Sequence, residues 1–326
     1  MATVFRSPLA HRLQAFWESR SAGGHCGFAT HRLLRYLDDF LVGELEPGDT
    51  VTQEVAQRWI KSIEHLSAGS RVNRISVLRQ FCLYLRYFDR RTCLIHRVFI
   101  PRRSRLVPHI YSRREVGRIM AAAKRIGPEG SLRPAVVVTL VGLLFSTGLR
   151  IGEALKLTLA DIDLDHRLLC IRRTKFRKSR YVPLSPSTAH QVGAYLRRRR
   201  RAGCASSSSS PVFVDLRGEK MSPANFSNLF LAILRKLGLR GPRGERGARV
   251  HDARHTFCVH RLLAWHRSGA NLLAKLPALA TYLGHTSVSG TQTYLHATAE
   301  LLESVGARFH AHFAIPPTKG KKHAQH

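Results

Sequence analysis

Between Ile100 and Pro108 the chain reads Ile-Pro-Arg-Arg-Ser-Arg-Leu-Val-Pro, and nothing in that stretch repeats at a helical or strand period. Two prolines and three arginines in so short a span, with little apolar periodicity, point to an exposed basic linker. This predicts a helical domain over 1–100, a basic linker over 101–111, a larger domain over 112–315, and a disordered basic tail over 316–326 with Lys319, Lys321 and Lys322. A length of 326 residues suits two domains.

Both halves read mainly as helix. Leu33–Leu41 looks helical, and Thr52 can cap a helix whose apolar face is Val55, Trp59, Ile63 and Leu66. After a break at Ala68-Gly69-Ser70, Ile75, Leu78, Phe81, Cys82 and Leu85 line another. Past the linker, Ser112 and Glu115 have the spacing of a capping box ahead of Val116, Ile119 and Met120. Ala135–Thr147 is an apolar helix stopped by Gly148. Two short strands, Leu168–Arg173 and Arg180–Leu184, flank a polar turn at Thr174–Ser179. Pro186 opens a helix that ends in Arg197–Arg201, and Cys204–Pro211, with its five consecutive serines, reads as a flexible loop. Helices follow to about residue 309. The expected fold class is mainly α, a helical N-terminal domain plus a mostly helical second domain with a small antiparallel β-sheet.

Charge then narrows the partner. Lys and Arg total 53 against 21 Asp and Glu, a formal charge of +32. Solubility needs far less than this, and a polyanion, nucleic acid above all, is the partner such a field suits. The excess is uneven: residues 1–106 carry 17 basic and 9 acidic side chains, net +8, and residues 107–326 carry 36 and 12, net +24. A membrane is not expected, because the best apolar run, Ala135–Phe145, is too short to span a bilayer and Met1–Ala10 has no apolar signal core. Six scattered cysteines without a Cys-x-x-Cys pair suit a reducing compartment, with free thiols and no zinc framework.

Four segments of the second half carry the chemistry. They are Thr147-Gly148-Leu149-Arg150-Ile151-Gly152-Glu153, Lys175 in the strand turn, His251-Asp252-Ala253-Arg254-His255, and Leu283-Gly284-His285 with Tyr294 nine residues beyond His285. Two arginines can clamp non-bridging phosphate oxygens, and histidines can donate to them or move a proton near neutral pH. A lysine on a hairpin can protonate a leaving oxygen, and a tyrosine can attack phosphorus. Side chains supply the cations, so no cofactor and no metal is called for.

In this order, Arg, Lys, His-x-x-Arg, His and Tyr, the set resembles the tyrosine recombinase (phage integrase) family, and the match covers its catalytic domain. The first half is similar in pattern to that family's helical core-binding domain. The resemblance implies that Tyr294 is the nucleophile, Arg150 and Arg254 the phosphate clamp, and Lys175 the general acid for the 5′-hydroxyl. It also implies that His251 assists the tyrosine proton and that His285 donates to the phosphate, with Glu153 and His255 orienting their neighbours. Lys175 is preferred over Lys178 because it keeps the family's distance to the Arg180–Leu184 strand. Ala253 and Gly290 depart from the family's usual residues without removing a catalytic atom. The implied activity is site-specific cutting and rejoining of double-stranded DNA through a 3′-phosphotyrosyl bond, without metal or ATP, by a homo- or hetero-tetramer of protomers on DNA. The implied location is the bacterial cytoplasm, at the nucleoid.

Plainer readings stand beside these. Singly, Arg150 could be a surface ion pair, His285 a residue at a helix C-cap, and Tyr294 a core aromatic. His251 and His255 have a metal-ligand spacing, but Asp252 stands where a zinc hydrolase has glutamate. Arg197–Arg201 is either a solvated helix end or a phosphate-contacting patch. The basic run Arg172–Arg180 is expected to lie on DNA, and the Asn225-Phe226-Ser227 sequon is read as chance. Relaxation of supercoils as in type IB topoisomerases, or DNA binding without catalysis, are the alternatives to recombination.

Overall fold

The computed structural model describes residues 5–22, 28–96, 107–172, 179–242, 244–245 and 247–284. Residues 101–106 of the linker, the turn holding Lys175 and Lys178, His285, Tyr294 and the tail over 316–326 lie outside the described residues. The chain divides into two compact units, Met1–Val107 and Pro108–His326.

In the first unit α1 (Ala10–Ala22), α2 (Phe28–Leu41), α3 (Gln53–Ser62) and α4 (Ala68–Leu85) enclose a core that includes Leu13, Phe16, Leu37, Trp59 and Phe81. Thr52 caps α3 as its position predicts, its hydroxyl accepting from the Val55 amide. The break expected at Ala68-Gly69-Ser70 is instead the first turn of α4. Ser67 caps it, accepting from the Ser70 amide at 3.4 Å, so these small residues are helical. The α1 helix escapes a periodicity reading, since only Leu13 and Phe16 of it are buried. The segment leading into it is fixed from a distance, where the Asp38 carboxylate accepts from the Arg6 and Ser7 amides at 2.8 and 2.9 Å.

In the second unit α5 (Arg113–Ala123) starts with the capping box that Ser112 and Glu115 predict. Just before it, Tyr111 is fully buried, with its amide on Thr256 Oγ1 at 3.0 Å and its hydroxyl on the Arg249 carbonyl at 3.1 Å. The apolar helix α6 (Arg133–Thr147) forms the centre and packs on α5, α8 (Pro186–Arg201) and α10 (Asp252–Arg267). It stops at Gly148, whose φ of +64° is left-handed and whose Cα lies so near Phe257 that a Cβ would come within 2.5 Å of that ring. After the short turn α7 (Ile151–Ala154) come β1 (Ile162–Asp163), β2 (Leu168–Ile171) and β3 (Arg180–Pro183), an antiparallel sheet in the order β1-β2-β3. Ile171 pairs with Arg180 at the hairpin end. The β1 strand is too short to show an alternation in sequence, and the expected strands end one or two residues early. Helices α9 (Pro223–Lys236) and α11 (Leu272–Leu283) complete the described residues. The fold is thus mainly α with a small antiparallel sheet.

The serine loop is not the flexible connection its composition suggests. The Ser208 and Ser210 carbonyls accept from the Ala160 and Leu159 amides at 2.9 and 3.0 Å. Arg199, inside the arginine run, is 2% exposed and donates to the Ala205 and Pro211 carbonyls at 2.7 and 3.0 Å. It therefore fits neither reading of that run: it pins a loop, while Arg197, Arg198, Arg200 and Arg201 are exposed. No described helix is long and apolar enough to cross a membrane.

Candidate active site

The site grows from two helix ends and one helix start. Where α6 stops at Gly148 the chain turns into α7, whose N-cap is Arg150. Arg150 and Glu153 make one half of a capping box and an ion pair: the Arg150 amide donates to Glu153 Oε2 at 3.0 Å, and Arg150 Nη1 donates to Glu153 Oε1 at 3.0 Å. Glu153 is thus the residue that orients Arg150. Its carboxylate also receives Arg180 from β3, with Nη1 on Oε1 at 3.2 Å and Nη2 on Oε2 at 3.0 Å. Burial pushes the Glu153 carboxyl up, but the Arg180 and Arg150 cations outweigh it and hold the group below its ordinary value. Glu153 is therefore ionised at neutral pH.

The C-terminus of α11 gathers the arginines. Its last carbonyls have no helical partner and carry the negative end of the helix dipole. The Tyr282 carbonyl accepts from Arg180 Nε at 2.7 Å, that of Leu283 from Arg254 Nη2 at 2.7 Å, and that of Gly284 from Arg150 Nη1 at 3.5 Å. Gly284, at φ +66°, is the left-handed C-cap. Arg254 also donates through Nη1 to the Gly148 carbonyl at 2.9 Å, so one guanidinium ties the ends of α6 and α11 together. Arg254 is 2% exposed, whereas 38% of the Arg150 side chain is accessible. Arg150 is thus the more accessible of the two guanidinium groups.

The start of α10 brings the histidines. His251 is its N-cap, and Arg254 and His255 follow at i+3 and i+4 on the same helix face. Asp252, between them, is buried and accepts from the Arg249 amide and Nη2 at 2.8 and 3.0 Å. The His251 and His255 rings meet edge to face with centroids 4.9 Å apart. Burial first, and the Arg254 charge next, lower His251 from its ordinary value. Burial, with His251 beside it, pushes His255 down to about 4. Both imidazoles are neutral at pH 7, and a neutral His251 is able to accept a proton. Among the described residues no group of three or more His, Cys, Asp or Glu side chains is placed to hold a metal ion.

Arg150, Glu153 and Arg254 therefore converge on one helix end, with His251 and His255 on the helix that carries Arg254. Lys175, His285 and Tyr294 lie outside the described residues, although His285 directly follows Gly284 in sequence. Sequence reasoning assigned no role in the site to Arg180. The available signal was the strand period: Arg180 and Val182 fall on the inward face of β3, and Tyr181 and Pro183 on the exposed one.

Known proteins resemble this chain in sequence and fold. The family model described as the phage integrase family matches residues 111–300. A putative integrase/recombinase of Sinorhizobium fredii, y4rB, is 36% identical over 289 residues, covering 86% of this chain and 91% of its own length. A tyrosine recombinase XerC of Pelotomaculum thermopropionicum is 27% identical over 252 residues, 75% of this chain and 76% of that protein. Among solved structures, the Tn1549 transposon integrase in complex with transposon right end DNA superposes with a TM-score of 0.63 at 18% identity, covering 91% of this chain and 99% of that one. The XerH site-specific recombinase bound to a palindromic difH substrate has a TM-score of 0.60 at 19% identity, covering 84% and 77%. These two share the fold.

Proposed function

The chain belongs to the phage integrase family, the tyrosine recombinases, and from that premise we propose that it is a DNA strand transferase that performs site-specific recombination on double-stranded DNA. The observation that carries this is the arginine arrangement. Arg150 and Arg254 come from different elements, and each is fixed through hydrogen bonds to backbone carbonyls or to Glu153. Preorganised cations of this kind stabilise charge that develops on a phosphate without having to reorganise. Supercoil relaxation and idle DNA binding are not favoured by the relatives, which are integrases and recombinases.

In this reading the Tyr294 oxygen attacks the scissile phosphorus while Arg150, Arg254 and His285 donate to the non-bridging oxygens. His251, neutral for the reasons given, takes up the tyrosine proton. Lys175 gives a proton to the departing 5′-oxygen. The bond from phosphorus to the 5′-oxygen breaks and a 3′-phosphotyrosyl bond forms. A 5′-hydroxyl from a partner strand then reverses these steps, and the count of phosphoester bonds is unchanged, so no nucleotide cofactor is consumed. Exchange between two duplexes takes four active sites, hence a tetramer on DNA. A helical core-binding domain over 1–100 and a catalytic domain over 112–315, joined by the linker at 101–111, would grip the duplex. Such an enzyme would work in the cytoplasm at the nucleoid.

The test is covalent capture on a nicked substrate whose cut end diffuses away, with genomic fragments as competitors and the junction sequenced. The reading predicts adducts at one phosphate position within a preferred sequence. Adducts scattered over all sequences, or none at all, contradict it.

A further inference from the structure

We propose that Arg180 is a positioning residue for the cleavage step, locking Glu153 to the end of α11 and thereby fixing Arg150. The proposal rests on the reading of Arg150 as a phosphate-contacting group given above.

Arg180 closes the run Arg172–Arg180, which holds six basic residues and whose composition suggests a grip on DNA. Arg180 is not built like a gripping residue. Its side chain is 13% exposed, against 62% for Arg172 at the other end of the run. It points to the same face of β3 as buried Val182. All of its guanidinium nitrogens are committed inward, Nη1 and Nη2 to the two Glu153 oxygens and Nε to the Tyr282 carbonyl. A bidentate pair of this kind sets the plane of both groups as well as their distance.

The consequence reaches Arg150 through a shared acceptor. Glu153 Oε1 takes both Arg180 Nη1 and Arg150 Nη1, and Oε2 takes both Arg180 Nη2 and the Arg150 amide. Glu153 is largely buried, with 10% of its side chain exposed. Without Arg180 this carboxylate would keep only one cation, free to swing toward it, and Arg150 would lose the fixed oxygen that sets its angle. The far end of the clamp is fitted to Arg180 as well. At Gly284 a Cβ would come within 2.9 Å of Arg180 Nη1, so a glycine there lets the end of α11 close on the guanidinium. Arg180 thus joins three elements: the sheet, the Arg150 turn and the helix end that runs into His285.

The experiment uses the full-length protein and a nicked suicide substrate, with single-turnover cleavage at saturating DNA followed from acidic to neutral pH. Arg180→Gln is expected to slow cleavage by about 10²-fold, the cost of a small misplacement in a preorganised site. DNA affinity should stay within about twofold, since no phosphate contact is removed. The acid limb of the pH profile should move to higher pH, because Glu153 is protonated more easily once its main partner is gone. The double variant Arg180→Gln/Glu153→Gln should be no slower than the slower single variant, because the two residues act through one path. Should Arg180→Gln fold poorly, Arg180→Lys carries the test: it keeps the charge but cannot span both carboxylate oxygens and the carbonyl, so its rate should lie between wild type and Gln with a melting temperature near wild type. Weakened DNA binding with an unchanged saturating rate would make Arg180 a phosphate grip and overturn the proposal. Strictly additive losses in the double variant would also overturn it. If the wild type forms no adduct, the recombinase reading falls and takes this proposal with it, whereas an active wild type with unimpaired Arg180 variants defeats the proposal alone.

Discussion

Arg150, Arg180 and Arg254 reach the end of α11 from three different elements, and each meets a different carbonyl there. What a guanidinium offers at such a place is a rigid fork of donors, which an ammonium lacks. Arg150→Lys should therefore lower cleavage at saturating DNA by about 10²-fold, the scale on which single preorganised donors act; a rate near wild type in a single-turnover assay would show that charge alone suffices. His255 makes a prediction of another kind. Its pKa is about 4 in the fold against an ordinary value of 6.5. Between those values the unfolded chain binds more protons than the folded one, so the fold loses stability as pH falls from about 6.5 to about 4 and gains nothing further above that window. Thermal melts across this range should show a shallower acid-side decline in His255→Gln than in wild type. Equal slopes would place the acid sensitivity in other groups, such as His251 and His260, which burial also lowers.

Elements whose signals are local were legible in the sequence. Thr52, the Ser112 and Glu115 pair, Gly148 and Pro186 each act within one helical turn, and each lies at the helix end it announces. Elements fixed from afar were not legible. The approach to α1 is held by Asp38, and the serine loop by the amides of Leu159 and Ala160, contacts that no window of the chain contains, while Arg199 reaches the loop within a dozen residues but by no periodic pattern. The same limit applied to the site. The Arg150 and Glu153 pairing is a local spacing and could be read, whereas the carbonyls that receive Arg254 and Arg180 come from residues far along the chain. The Arg199 contact is testable at this scale. Arg199→Met removes two donors and leaves the Ala205 and Pro211 carbonyls without them, so urea unfolding should report a loss of about 2 kcal/mol. An unchanged stability would mean that the serine loop holds itself.

For the whole molecule, the charge of +32 and the clamp answer different questions. In the proposed reading, most of the positive excess would hold many phosphates, and a small set of side chains would act on one. Binding should therefore weaken by about 10³-fold between low and moderate salt, as counterion release requires for a protein with several phosphate contacts, while cleavage at saturating DNA changes far less. A filter-binding titration against salt, paired with single-turnover rates, checks this, and parallel losses in both would contradict the separation. Strand exchange in the proposed mechanism runs through a bond between Tyr294 and the DNA. The most direct measurement is covalent capture by Tyr294→Phe beside wild type on the same nicked substrate. Wild type should form an adduct, Tyr294→Phe none, and the variant should bind DNA about as well as wild type. A covalent complex that persists in Tyr294→Phe would contradict that mechanism.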